Sequence, residues 1–179
     1  MVRMRIVKPT AATIPTTILL VDDNKMGLAA RRAVLQEIGY LVVTAVNGQE
    51  ALAAIEALAA TEALAATESK SATEAKSATE AKSFDLIVTD WKMPKMDGLE
   101  LIRRLRESGF SAPIILLSGF ADSSGISEDK IGADAIVQKS ANEVQVMLST
   151  VKRLLNRKAT RKLPAKETIK VSVTKNKAG

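Results

Sequence analysis

The chain has no cysteine and no histidine. The first absence excludes disulfides, thiolate chemistry and cysteine-held metals. The second excludes imidazole acid–base catalysis, so any phosphohistidine in its chemistry must sit on another molecule. Aromatic residues are scarce, with one Trp, one Tyr and three Phe, so the core has to be aliphatic. No apolar run nears the roughly 18 residues of a membrane span. The first 16 residues carry Arg3, Arg5 and Lys8 and lack the apolar stretch of a secretory signal. These absences predict no transmembrane segment and a cytoplasmic location.

What is present suits one domain with extensions: 179 residues, 46% of them hydrophobic. Charge is unevenly spread. Residues 151–179 hold ten Lys or Arg against Glu167 alone, and residues 1–17 add three more cations. The span between them is net acidic although the whole chain is +6. The high isoelectric point therefore describes the ends, not the fold.

Five short apolar runs alternate with helical patterns. TILLVDD at 17–23 reads as a strand buried on both faces. Asn24 caps a helix with apolar Leu28, Val34, Leu35 and Ile38, closed by Gly39. YLVVTA at 40–45 is a second strand, and Asn47-Gly48 opens a helix through Ala51, Leu52 and Ile55. FDLIVT at 84–89 leads into Asp90. Asp97 and Glu100 form a capping box for a helix that buries Leu99, Leu101, Ile102 and Leu105 and ends at Gly109. IILL after Pro113 is a fourth strand and ADAIVQ at 133–138 a fifth, with a weaker helix over 121–131 between them. Ser140 and Glu143 cap a last helix with apolar Val144, Met147, Leu148, Val151 and Leu155. Such alternation predicts an α/β fold with a doubly wound parallel sheet, in strand order 2-1-3-4-5 with helices on both faces.

One segment lies outside this economy. Residues 56–83 read EALAAT, EALAAT, ESKSAT, EAKSAT, EAKS. Six residues turn a helix by about 600°, so successive Glu residues drift by about 120° and no apolar stripe forms. Composition favours helix. The expectation is a second helix that overruns its packing and frays. After Asn156 the sequence is basic and without pattern, which predicts disorder.

In open parallel sheets the functional crevice lies beyond the carboxyl ends of the strands. Those ends carry Asp22 and Asp23, then Asp90, then Ser118, then Lys139. Converging carboxylates repel one another, and a hard cation such as Mg2+ with retained waters relieves this. An ionised carboxylate is a nucleophile toward phosphorus, and Lys139 and Ser118 could stabilise phosphoryl oxygens. The fitting chemistry is phosphoryl transfer onto an aspartate.

The strings ILLVDDN, FDLIVTDWKMPKMDGLELI, PIILLSG and GADAIVQKS closely resemble response-regulator receiver domains, over residues 17–156 with the repeat set aside. The resemblance implies Asp90 as phosphoacceptor, with direct Mg2+ ligation by Asp23 and Asp90. Asp22 would act through water and the Lys92 backbone carbonyl would be a further ligand. Ser118 would be the switch hydroxyl, and Lys139 would pair with the phosphorylated Asp90. A sensor histidine kinase or histidine phosphotransfer protein would be the donor. The family usually carries an aromatic on the fifth strand and a proline after the lysine, where this chain has Ile136 and Ser140. A cis bond before a non-proline costs about 2.5–4 kcal/mol, so Lys139–Ser140 is expected to be trans or strained.

The expected organisation is a basic extension at 1–16, a receiver at 17–156 interrupted at 56–83, and a basic tail at 157–179. The expected function is a stand-alone receiver of a two-component phosphorelay. It would not be an enzyme beyond its own phosphorylation and dephosphorylation, and it would act through a downstream protein that the sequence does not name. The alternatives are a phosphorylation-independent interaction module, or a receiver-regulated binder of nucleic acid through the tail. The tail lacks helix-turn-helix spacing and interleaved aromatics. A phosphohydrolase is disfavoured, because no second acidic motif follows the fifth strand.

Overall fold

The computed structural model describes residues 16–68, 84–119 and 131–162. Among the described residues five strands are present: β1 Thr17–Val21, β2 Leu41–Ala45, β3 Leu86–Asp90, β4 Ile114–Ser118 and β5 Ala135–Gln138. Four helices are described: α1 Lys25–Glu37, α2 Gly48–Glu68, α3 Gly98–Glu107 and α4 Glu143–Lys162. All strand pairs are parallel, in the order β2-β1-β3-β4-β5. The doubly wound fold is as the sequence predicts. The helix expected over 121–131 falls outside the described residues, apart from Ile131.

Strand position explains the apolar patterns. β3 and β4 are buried at every residue, and β1 at all but its first. Central strands covered on both faces need continuous apolar runs. The edge strand β2 alternates, leaving Leu41 and Val43 exposed. Alternate residues of the central strands feed two cores. Ile18, Leu20, Val88, Ile115 and Leu117 pack under α1 and α4 with Leu28, Leu35, Met147, Val151 and Leu154. Leu19, Val21, Ile87, Ile114 and Leu116 pack under α2 and α3 with Ala51, Leu101, Ile102 and Leu105.

The helix ends show local chemistry at work. Asn24 accepts hydrogen bonds from the Met26 and Gly27 amides at 3.1 Å each. Gly39 and Gly109 adopt positive φ after α1 and α3. In both cases the glycine N–H and the next N–H turn back to the helix, as Gly39 to Gln36 and Tyr40 to Leu35, or Gly109 to Arg106 and Phe110 to Leu105. This is the Schellman closure, which satisfies the last carbonyls of the helix.

Several expectations need correction. Asp97 caps α3 through the Glu100 amide, but the Glu100 carboxylate turns to Arg103 and Arg104 instead of completing the box. Ser140 does not share a box with Glu143: α4 begins at Glu143 itself, whose carboxylate accepts from Arg31. At the start of α2 Asn47 Oδ1 accepts from the Glu50 amide, while the Glu50 carboxylate accepts from the Asn47 side-chain amide and the Val46 backbone amide. Ile38 is 39% exposed, while Arg31 takes an inward position on α1. Among the described side chains of α2, Leu58 is the last to touch the core and residues 59–61 are exposed; the expected overrun and fraying beyond them lie outside the described residues. α4 runs past Asn156 to Lys162, because elongating a formed helix through Ala, Lys and Arg is favourable.

Candidate functional site

The site lies where β1, β3, β4 and β5 end. Asp22 follows β1, Asp90 closes β3, Ser118 closes β4 and Lys139 follows β5. The parallel register aligns these ends, with Asp90 opposite Leu117 and Ser118 opposite Gln138. The Asp22 amide extends the ladder to Ala45, the Trp91 amide to Leu117 and the Lys139 amide to Ser118. The sheet itself therefore holds the backbone at each position.

Oxygens of Asp22, Asp23 and Asp90 lie within 4.8 Å of one another. Asp22 is fully buried, Asp90 nearly so, and Asp23 is exposed. Asp90 Oδ1 accepts from Lys139 Nζ at 2.7 Å and from the Trp91 amide at 2.8 Å. Burial pushes the Asp90 carboxyl above its ordinary value, the Lys139 ammonium and the Trp91 N–H oppose that rise, and Asp22 adds to it. Ser118 is fully buried, and its hydroxyl donates to the Gly119 carbonyl at 3.1 Å, not to Asp90. Lys92 is exposed in the loop two residues beyond Asp90. No described peptide bond is cis, so Lys139–Ser140 is trans. Ile136 pairs with Leu116 and is half-buried against the core under α2 and α3.

Three carboxylates that share one space and reach solvent at Asp23 suit a hard divalent cation that keeps some of its waters. The cation-friendly charge is already partly compensated by Lys139 and by a residue that the sequence reading missed. Arg31 of α1 donates from Nη1 to Asp22 Oδ2 at 2.5 Å and from Nε to Glu143 Oε1 at 2.6 Å. Burial works against its charge, but Glu143 and Asp22 outweigh that and raise its pKa. The available signal was a charged residue on the apolar stripe between Leu28 and Leu35, at helical spacings of three and four.

Gly98 was also undervalued. Its amide donates to the Trp91 carbonyl at 2.7 Å, and a Cβ there would lie 2.1 Å from the Asp90 carbonyl oxygen. Only glycine lets α3 start this close to Asp90. The loop between them holds Lys95 at φ 66, a left-handed conformation that side chains disfavour.

Comparison with known proteins agrees with this geometry. The family described as response regulator receiver domain matches residues 53–152. A gliding motility regulatory protein of Myxococcus xanthus is 31% identical over 144 residues, which is 76% of this chain and 15% of that protein. Response regulator MprA of Mycolicibacterium vanbaalenii is 33% identical over 122 residues, 68% of this chain and 41% of the relative. The chain thus spans less than half the length of these relatives. Among solved structures, a CheY-like response regulator receiver domain protein from Methanospirillum hungatei aligns with a TM-score of 0.63 at 25% identity, covering 83% of this chain and 99% of that one. Response regulator TrrA of Thermotoga maritima, in complex with Mg(2+)-BeF, aligns with a TM-score of 0.54 at 31% identity, covering 78% and 98%.

Proposed function

The chain belongs to the response-regulator receiver family, and from that premise we propose that it accepts a phosphoryl group on Asp90 and signals by altered binding of a partner protein. The observation that carries this reading is the Lys139–Asp90 pair set against the cluster of Asp22 and Asp23. A carboxylate that is buried, paired with a lysine and surrounded by metal-suited oxygens fits a phosphoryl acceptor.

In the proposed step an Asp90 oxygen bonds to phosphorus as the phosphorus–nitrogen bond of a phosphohistidine breaks. The bond pair leaves with the donor imidazole, which belongs to a sensor histidine kinase or a histidine phosphotransfer protein. No general base is required, because the carboxylate attacks in its ionised form. Mg2+ would be held by Asp23, Asp90 and the Lys92 carbonyl, with Asp22 acting through water, and when bound it neutralises charge on the phosphoryl oxygens. Lys139 would shift from Asp90 to the incoming phosphoryl group, and Ser118 would turn from Gly119 to hydrogen-bond it. The TrrA complex with Mg(2+)-BeF supports the metal assignment by likeness.

The receiver would comprise residues 17–156 with the repeat of 56–83 as an insertion and basic segments on either side. It would act as a cytoplasmic module, changing its own phosphorylation state without being a conventional enzyme. The test is intact mass after incubation with acetyl phosphate and Mg2+. A phosphoryl adduct in wild type that Asp90→Asn loses is the expected result. No adduct from either acetyl phosphate or a histidine kinase sinks the reading.

A second reading rests on Ile136, which leaves the fifth strand without an aromatic reporter. It holds that the fold binds its partner without regard to phosphorylation. Equal partner affinity for Asp90→Asn and phosphorylated wild type would favour it.

A further inference from the structure

Arg31 does more than fill space beneath α1. Its residue is 7% exposed, and it joins two carboxylates 121 positions apart in the chain, one beside the site and one at the first residue of α4. Asp22 Oδ2 takes its Nη1, while Asp22 Oδ1 takes the Asn24 amide at 2.8 Å. Both oxygens of Asp22 thus already hold a protein donor. The neighbouring backbone makes room for this arrangement: a Cβ at Gly27 would lie 2.8 Å from Arg31 Nη1. A free surface arginine would swing aside, but this one is fixed by carboxylates on two sides. A buried guanidinium loses much of its hydration, which only well-placed partners offset. Losing either partner therefore unbalances the other.

We propose that Arg31 is a positioning residue that, through Asp22, sets the affinity of the acidic cluster for a divalent cation and, through Glu143, transmits its occupancy to the start of α4. The inference rests on the cation-binding reading above. The cluster of Asp22, Asp23 and Asp90 faces two fixed cations, Arg31 and Lys139. With a divalent cation held by the cluster, Arg31 would be repelled, loosen its grip on Asp22 and shift toward Glu143. This gives the chain a path from the site to α4 that needs no aromatic ring on β5.

The test uses the full chain as wild type, Arg31→Met, Arg31→Lys and Glu143→Gln. Mg2+ affinity is measured by titration calorimetry, and hydrogen exchange of the first α4 amides is followed with and without Mg2+. Arg31→Met removes one positive charge a few ångströms from the site, so it is expected to bind Mg2+ about threefold to tenfold more tightly. Arg31→Lys keeps the charge but not the two-pronged geometry. It should bind Mg2+ less tightly than Arg31→Met while losing the Mg2+-dependent change in α4 exchange. Glu143→Gln should lose that change as well, and it keeps the test decisive if Arg31→Met does not fold. Unchanged or weaker Mg2+ binding by Arg31→Met overturns the inference. So does an α4 that ignores Mg2+ in wild type, or that responds equally in every variant. If wild type binds no Mg2+, the phosphoacceptor reading falls and takes this one with it; if wild type binds and the variants match it, this inference alone falls.

Discussion

Asp90 sits under opposing demands. On the proposed reading it must stay ionised to attack phosphorus, yet it is 6% exposed beside another carboxylate. Burial raises its pKa, and Lys139 with the Trp91 amide pulls against the rise. A carboxyl whose folded pKa is raised leaves the fold most stable while protonated. That stability is lost as pH climbs from the ordinary value of 3.8 through the raised one. At pH 7 ionised Asp90 is therefore a cost, and Asp90→Asn should raise the melting temperature in chelator, as read by a thermal melt. A lower one would show that the Lys139 pair outweighs burial. Lys139→Met should slow labelling by acetyl phosphate about a hundredfold, the usual loss for one donor aimed at developing charge. Asp22, Asp23, Asp90, Ser118 and Lys139 were legible in sequence because each stands at a strand end, where the crevice of such a sheet must be. Arg31 with Glu143 was not, because that pair spans 112 positions and neither residue lies at a strand end. Only packing α1 beside α4 brings the two together.

At the scale of elements, apolar runs and glycines exposed the strands and the ends of α1 and α3, since both signals are local. Capping chemistry was less legible. Glu100 and Glu143 fit the spacing of a box, but each had a closer arginine available once the chain folded. The junction of β3 with α3 shows the same limit, because Gly98 reads as an ordinary turn residue until the Asp90 carbonyl is seen against it. Gly98→Ala should cost about 1–3 kcal/mol through overpacking, measured by urea denaturation. It should also slow labelling, because the carbonyl pushed aside belongs to the phosphoacceptor candidate. Gly109→Ala is the control. Nothing lies within 4 Å of its added Cβ, so it carries only the strain of φ 80, about 1 kcal/mol, and labelling should be untouched. Equal labelling loss in both variants would mean that global stability, not the close approach at Gly98, governs the site.

For the whole molecule, charge and repeat set the fold apart from its additions. Among the described residues the core contacts of α2 end at Leu58, while the hexapeptide pattern begins at Glu56 and continues to Ser83. Of the repeat's described side chains, Leu58 touches the core and those of 59–61 are exposed. In general a longer connection between two elements costs little, about 0.6 kcal/mol for each doubling of a flexible loop. The same weak dependence predicts that shortening it changes little. Deleting residues 62–81 leaves Leu58, Phe84 and the β1–β3 pairing intact. The shortened chain should unfold in one cooperative step, with a melting temperature within about 5 °C of the full chain. It should also take the same phosphoryl adduct from acetyl phosphate and Mg2+. A larger drop would mean that the repeat folds back onto the domain and belongs to its core. A stable chain that no longer labels would tie the repeat to the site instead.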